Sequence, residues 1–206
     1  MTDSTETEKQ QGVKGFLSSE LFLAALITIM TIFTAVSAYQ ASLLEGDSLK
    51  QFFIAQSDLT DSSSFYVEQG QELFYDQSVY DQYHIALLRG EEDVAEYFYE
   101  QLSDAGAEAV ERSPDAPFDE QYQVELFSEA EGALTDFEAS YDAAIAFNVK
   151  GDRLGLVTTI LAVGLAFAAW AALAPEDSRI RIFFAVLGIL AFILAIIEYV
   201  RIMFGS

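Results

Sequence analysis

The stretch LFLAALITIMTIFTAVSAYQASLL, Leu21 to Leu44, runs 24 residues without a charged side chain. A helix rises 1.5 Å per residue, so about 20 apolar residues cross a ~30 Å hydrocarbon core. This one stretch therefore points to a membrane-spanning helix. Two later runs answer it. Leu154 to Pro175 gives 22 uncharged residues, and Ile182 to Ile197 gives 16, with apolar residues continuing past Glu198 and Arg201 to Phe204. The third run spans if Glu198 and Arg201 sit at the membrane edge, three apart on one helix, where they pair and snorkel. Ala174-Pro175-Glu176-Asp177-Ser178 joins the second and third runs as a tight antiparallel hairpin. Pro175 stops one helix, and Asp177 or Ser178 caps the next.

The first run has one competing reading. Lys9 and Lys14 precede it, and Val36-Ser37-Ala38 before Tyr39 has the small-residue form of a signal-peptide cleavage site. The run is longer than the 7–15 apolar residues of a signal peptide, so an uncleaved anchor is the preferred reading.

Charge is segregated from these runs. The chain has 206 residues, 33 acidic and 10 basic, for a formal net charge of -23. Residues 45–150 alone hold 25 acids and 4 bases, while the other 100 residues hold 8 acids and 6 bases. No basic patch exists to release counterions from phosphates, which excludes a nucleic-acid partner. A large acid surplus with only four lysines suits molar salt. There charge repulsion is screened within about 3 Å, and net charge maintains solubility. With no cysteine there is no disulfide, thiolate catalysis or Cys-ligated metal.

The acidic segment is periodic. Phe127, Ala130, Leu134, Phe137, Tyr141 and Ala144 recur at steps of three and four, a helical seam with the acids off the stripe. Tyr66, Leu73, Tyr80 and Leu87 recur every seven, with Val67, Phe74 and Leu88 beside them. Gly90 reads as a C-terminal glycine, and Glu91-Glu92-Asp93 as the acidic first turn of a next helix. Ser62-Ser63-Ser64 reads as an interruption of the first arm. Ser103-Asp104-Ala105-Gly106 and Ser113 to Pro117 read as turns. A return arm is expected from about Phe118 to Asn148.

The sequence thus predicts an all-α integral membrane protein with three transmembrane helices. An acidic antiparallel helical or coiled-coil domain lies between the first and second. The expected segments are a polar tail at 1–18, a span at 19–44, the acidic domain at 45–151, and spans at 152–175 and 178–204. Arg179 and Arg181 mark the 175–181 turn as cytoplasmic by the positive-inside rule, with the N-terminus on the same side. The acidic domain is then extracellular. Lys50, Lys150, Arg153 and Arg201 give the outer ends an equal number of cations, so only the shortness of the turn favours this orientation.

This layout resembles that of uncharacterised three-helix membrane proteins of halophilic archaea, with looser bacterial relatives. The resembling stretches are Tyr39-Gln40-Ala41-Ser42 at the end of the anchor and Gly151-Asp152-Arg153 before the second span. The resemblance implies no known activity, and no functional residue is carried over.

Candidate chemistry is sparse. Asp81 and His84 have the i,i+3 spacing of half a helical di-metal motif, but His84 is the only histidine. No calcium-loop spacing and no G-x-S-x-G occur. The expectation is no catalytic, cofactor or metal residue, no cofactor and no enzyme. Packing candidates are clearer. Gly164, Ala168 and Ala172 form one small-residue stripe, and Gly188, Ala191 and Ala195 another, of the kind that lets helices approach in lipid. Phe127, Leu134, Phe137 and Tyr141 are the seam candidates. Thr28, Thr31, Thr34, Glu198 and Arg201 are the intramembrane polar candidates.

The expected function is a non-enzymatic membrane protein that self-associates or serves as an accessory subunit of a membrane complex. Its partners would be the lipid bilayer, copies of itself or other membrane chains, and diffuse hydrated cations. The alternative is a small homo-oligomeric cation channel or transport component, with the threonines along a wet path.

Overall fold

A computed structural model describes residues 19–176 and 178–204. The tail at 1–18, with Lys9 and Lys14, and the capping alternative at Asp177 lie outside the described residues. Among the described residues six helices follow one another: α1 (Glu20–Arg89), α2 (Glu92–Tyr99), α3 (Asp104–Arg112), α4 (Glu120–Leu126), α5 (Ser128–Leu173) and α6 (Arg179–Phe204). Three of them, α1, α5 and α6, are long and apolar enough to cross a membrane.

The helix ends follow local chemistry. Ser19 caps α1 by accepting the Phe22 N–H at 3.2 Å. At the other end Gly90 takes φ 73°. The Gly90 N–H reaches the Leu87 carbonyl and the Glu91 N–H reaches that of Ala86, both at 3.0 Å. This paired arrangement satisfies two terminal carbonyls of α1 and needs the left-handed conformation that glycine supplies. Helix α5 ends at Leu173, two residues before Pro175. The Ser178 hydroxyl accepts the Ile180 N–H at 3.2 Å at the start of α6.

Two readings of the acidic segment are corrected. Ser62 to Ser64 do not break α1, which is continuous there. Ser62 donates to the Ala130 carbonyl of α5 at 2.9 Å, while Ser63 and Ser64 donate back to Leu59 and Thr60 of their own helix. Nor is Ser103–Gly106 a turn. Ser103 is the N-cap of α3, accepting the Gly106 N–H.

The chain divides into two compact units, one formed by residues up to Leu49 and from Ala144 onward, the other by Lys50–Ala143. In the first, the core joins Leu26 and Met30 of α1, Leu154, Val157, Leu161 and Ala168 of α5, and Ala195 and Ile202 of α6. Phe33 meets Phe192 and Tyr199 edge-on, with centroids 5.8 and 6.1 Å apart. Gly164 lies where the three helices meet. A Cβ there would collide with the Met30 side chain and come within 2.9 Å of Ala191 Cβ. A Cβ at Gly188 would lie 3.3 Å from the Gly164 carbonyl, so α5 and α6 touch backbone to backbone. Val36–Ala38 sit inside unbroken α1, with Ser37 fully buried.

In the second unit α1 and α5 run antiparallel. Phe52 meets Tyr141, Ser62 meets Ala130 and Tyr66 stacks on Phe127, so numbers rise along α1 as they fall along α5. The buried α1 positions of this unit run Ala55, Ser62, Gln69 and Asp76 at steps of seven, followed by Val79 and Ala86. The large apolar heptad read from the sequence lies off this register: Tyr66 and Leu87 are exposed, and Leu73 and Tyr80 are partly buried. Helices α2, α3 and α4 and the α2–α3 connection supply the bulk instead, through Phe98, Leu102, Val110, Tyr122 and Leu126 packed on Val79 and Leu73.

Replacing Gly164 by Leu should cost about 1–3 kcal/mol through overpacking, whereas Gly132→Ala, with no atom within 4 Å of the added methyl, should stabilise by about 0.5–1 kcal/mol. Thermal unfolding of the two purified variants in detergent checks both signs.

Candidate functional site

The second unit turns on one carboxylate. Asp76 of α1 is fully buried. Its Oδ1 accepts the Ser103 backbone N–H at 2.9 Å, and its Oδ2 accepts the Ser103 hydroxyl at 2.5 Å and the Tyr122 hydroxyl at 2.8 Å. The Ser103 oxygen in turn accepts the Gly106 N–H at 3.0 Å. Asp76 thereby extends the N-cap of α3, where the positive end of the helix dipole favours a negative charge. Gly106 is required by proximity. A Cβ there would stand 2.6 Å from the Asp76 carboxyl carbon. One side chain of α1 thus ties down α3 and α4 together.

Burial and the bond to Asp76 push the Tyr122 hydroxyl well above the ordinary tyrosine range. Beside it, Asp119 caps α4 by accepting the Tyr122 N–H at 2.9 Å. That backbone bond and the neighbouring Arg112 hold the Asp119 carboxyl below its usual value. Arg112 also reaches Glu125, at 3.3 Å. Tyr80 donates to the Pro114 carbonyl at 2.5 Å and pins the α3–α4 connection. His84 stacks on Tyr80, with centroids 5.8 Å apart. No group of three or more His, Asp or Glu among the described residues is arranged to hold a metal.

The seam residues pair within the chain. Phe127 stacks on Tyr66 at 5.6 Å, and Tyr141 meets Phe52 at 5.7 Å and Phe137 at 5.6 Å. Leu134 and Phe137 are half-buried and Tyr141 is exposed.

Polar groups of the first unit bond within their own helix or across to a neighbouring one. Thr28, Thr31 and Thr34 each donate to the carbonyl four residues back, at 2.8 Å. Arg201 reaches Glu198 at 2.7 Å. Tyr199 donates to Gln40 at 2.9 Å, and Ser48 to the Ala144 carbonyl at 2.9 Å. Of the small-residue candidates, Gly164, Ala168, Gly188 and Ala195 are buried, Ala191 is half-buried and Ala172 is exposed. Ala171 and Ala185 take buried positions that the sequence reading did not single out. Arg181, read there only as a marker of sidedness, is buried and donates to the Ala174 carbonyl at 3.0 Å.

Sequence reading missed Asp76, Ser103 and Tyr122. One signal was present. Ala55, Ser62, Gln69 and Asp76 form a heptad of small and polar residues, overlooked because heptads were sought among large apolar ones.

Asp76→Ala should lower the stability of this unit by about 2–4 kcal/mol, since it strands the Ser103 and Tyr122 donors in a buried site. The raised Tyr122 value fixes the pH sign. The folded state favours the neutral phenol, so this contribution is complete below the ordinary tyrosine value of 10.0 and is lost as pH climbs above it. Denaturant unfolding at pH 8 and pH 11 should show an alkaline loss in the native chain that Tyr122→Phe reduces.

No protein-family model matches the chain, and neither do curated proteins or solved structures.

Proposed function

We propose that this chain is a non-enzymatic integral membrane protein that self-associates or serves as an accessory subunit of a membrane complex. One observation carries the membrane reading. In the most apolar stretches of α1, α5 and α6, only 22%, 28% and 22% of residues are buried within the chain. Apolar surface turned outward on three helices has no stable place in water. In lipid it is the solvated face, and the small residues that are buried provide the packing.

The antiparallel arms between the first and second spans form the acidic domain. Its carboxylates suit a high-salt environment of the kind the sequence resemblance implies. The 175–181 turn, with Arg179 and Arg181, is assigned to the cytoplasmic side and the acidic domain to the outside. A scaffold role is supported by where the polar atoms go: Asp76, Ser62, Ser48 and Arg181 all engage groups that hold helices together. The channel alternative would place Thr28, Thr31 and Thr34 along a wet path; each hydroxyl donates to its own helix and keeps its acceptor lone pairs.

The native mass in mild detergent at high potassium chloride tests the reading. A homogeneous multiple of 22.8 kDa is expected for self-association, and co-purifying chains for an accessory subunit. A lone chain of single mass would overturn both.

A further inference from the structure

The hairpin end of the membrane unit holds a buried cation that the chain does not pair. Arg181 is 2% exposed. Its Nη1 donates to the Ala174 carbonyl at 3.0 Å, just past the end of α5. Its Nε and Nη2 are shut from solvent and have no hydrogen-bond partner. Those two donors form one edge of the guanidinium, the edge that matches two oxygens of a carboxylate or phosphate. A guanidinium keeps its charge in proteins, and a buried charge is tolerated when it is paired. Glu20, at the start of α1, and Glu176, in the turn, are exposed, and neither is in an ion pair among the described residues.

The setting of this open fork is amphipathic. Arg181 stands one turn before Ala185, which packs with Leu23 of α1 and Ala171 of α5. The helix ends that meet there turn Leu21, Leu173 and Ile180 outward, 85%, 84% and 59% exposed. Trp170, the only tryptophan, is itself exposed and meets Phe184 edge-on at 5.2 Å. Tryptophan gathers at the level of lipid headgroups. A buried fork that wants two oxygens, with apolar surface around it, fits one kind of molecule: a lipid, with a phosphate for the fork and acyl chains for the surface.

We propose that Arg181 holds the phosphate of a membrane lipid through Nε and Nη2; the proposal rests on the membrane reading above. The surroundings select the occupant. Acyl chains cover Leu21, Leu173 and Ile180 in a bilayer, and the anion that phospholipids carry at their polar end is phosphate. A dissolved anion has no such hold beside the fork. A direct two-point bond in a site closed to water is little weakened by salt. The fork is closed over in the chain alone, so the headgroup enters by parting the side chains around it. The lipid then adds to the link between α5 and α6 that Nη1 begins at Ala174.

Thermal unfolding tests this on the full chain, extracted from its membranes and stripped of lipid in mild detergent at high potassium chloride. Phosphatidylglycerol should raise the apparent Tm by about 5 °C. Neither diacylglycerol with the same chains nor inorganic phosphate at the same concentration should do so. Arg181→Lys keeps the charge without the fork and should bind phosphatidylglycerol roughly tenfold more weakly. Arg181→Met should lose the shift, and Arg179→Gln, at an exposed neighbour, should retain it. An undiminished shift in Arg181→Met or Arg181→Lys, its loss in Arg179→Gln, or an equal shift from diacylglycerol or inorganic phosphate would overturn the proposal. A chain that leaves the membrane without detergent removes the membrane reading and the site together. One that needs detergent and shows no phosphatidylglycerol shift removes the site alone.

Discussion

A serine hydroxyl reaches the backbone carbonyl of a neighbouring helix only when the two helices lie closer than leucine-lined helices can. That close approach underlies both units. In one, Ser48 reaches the Ala144 carbonyl and Gly164 and Gly188 bring α5 against α6. In the other, Ser62 reaches the Ala130 carbonyl, and Ala55 shares its buried register. In lipid, close backbones are how helices gain dispersion without a hydrophobic force between them. In the acidic unit the same device spares the large apolar side chains, which gather where the three short helices pack.

The short helices need more than periodicity. Helices of 8, 9 and 7 residues are too short to persist alone. The second and third of them hold because Asp76 secures the Ser103 cap of one and binds the first turn of the other, and because Arg112 links Asp119 and Glu125 across the connection. A single buried carboxylate here has three donors on two elements, which is the condition for tolerating a buried charge.

How legible this was depended on the range of the signal. The three apolar runs were legible because length and apolar composition are carried by contiguous segments, which form the three longest helices among the described residues. Gly90 and the acids after it were legible because a helix end is a local event. Ser103–Gly106 misled because its glycine answers a contact with Asp76, 30 positions earlier in the chain, rather than a turn. Ser62–Ser64 misled for a similar reason, since one serine serves a partner helix and two serve their own. The seam residues Phe127 and Tyr141 each meet an aromatic ring of α1. Of these partners, Tyr66 belongs to the large-residue heptad of the sequence, while Phe52 lies outside that heptad.

The choice of small polar residues also matters while the chain is being made. Ser62 finds its partner 68 residues later, and Asp76 its partners 27 and 46 residues later. Until that stretch has been synthesised, the inner face of α1 stands bare to solvent. A leucine heptad in that interval would be a sticky surface, free to capture any other emerging chain. A line of alanine, serine, glutamine and aspartate waits in water at little cost. It becomes adhesive only when a helix arrives that is close enough, and correctly placed, to offer its carbonyls and its tyrosine.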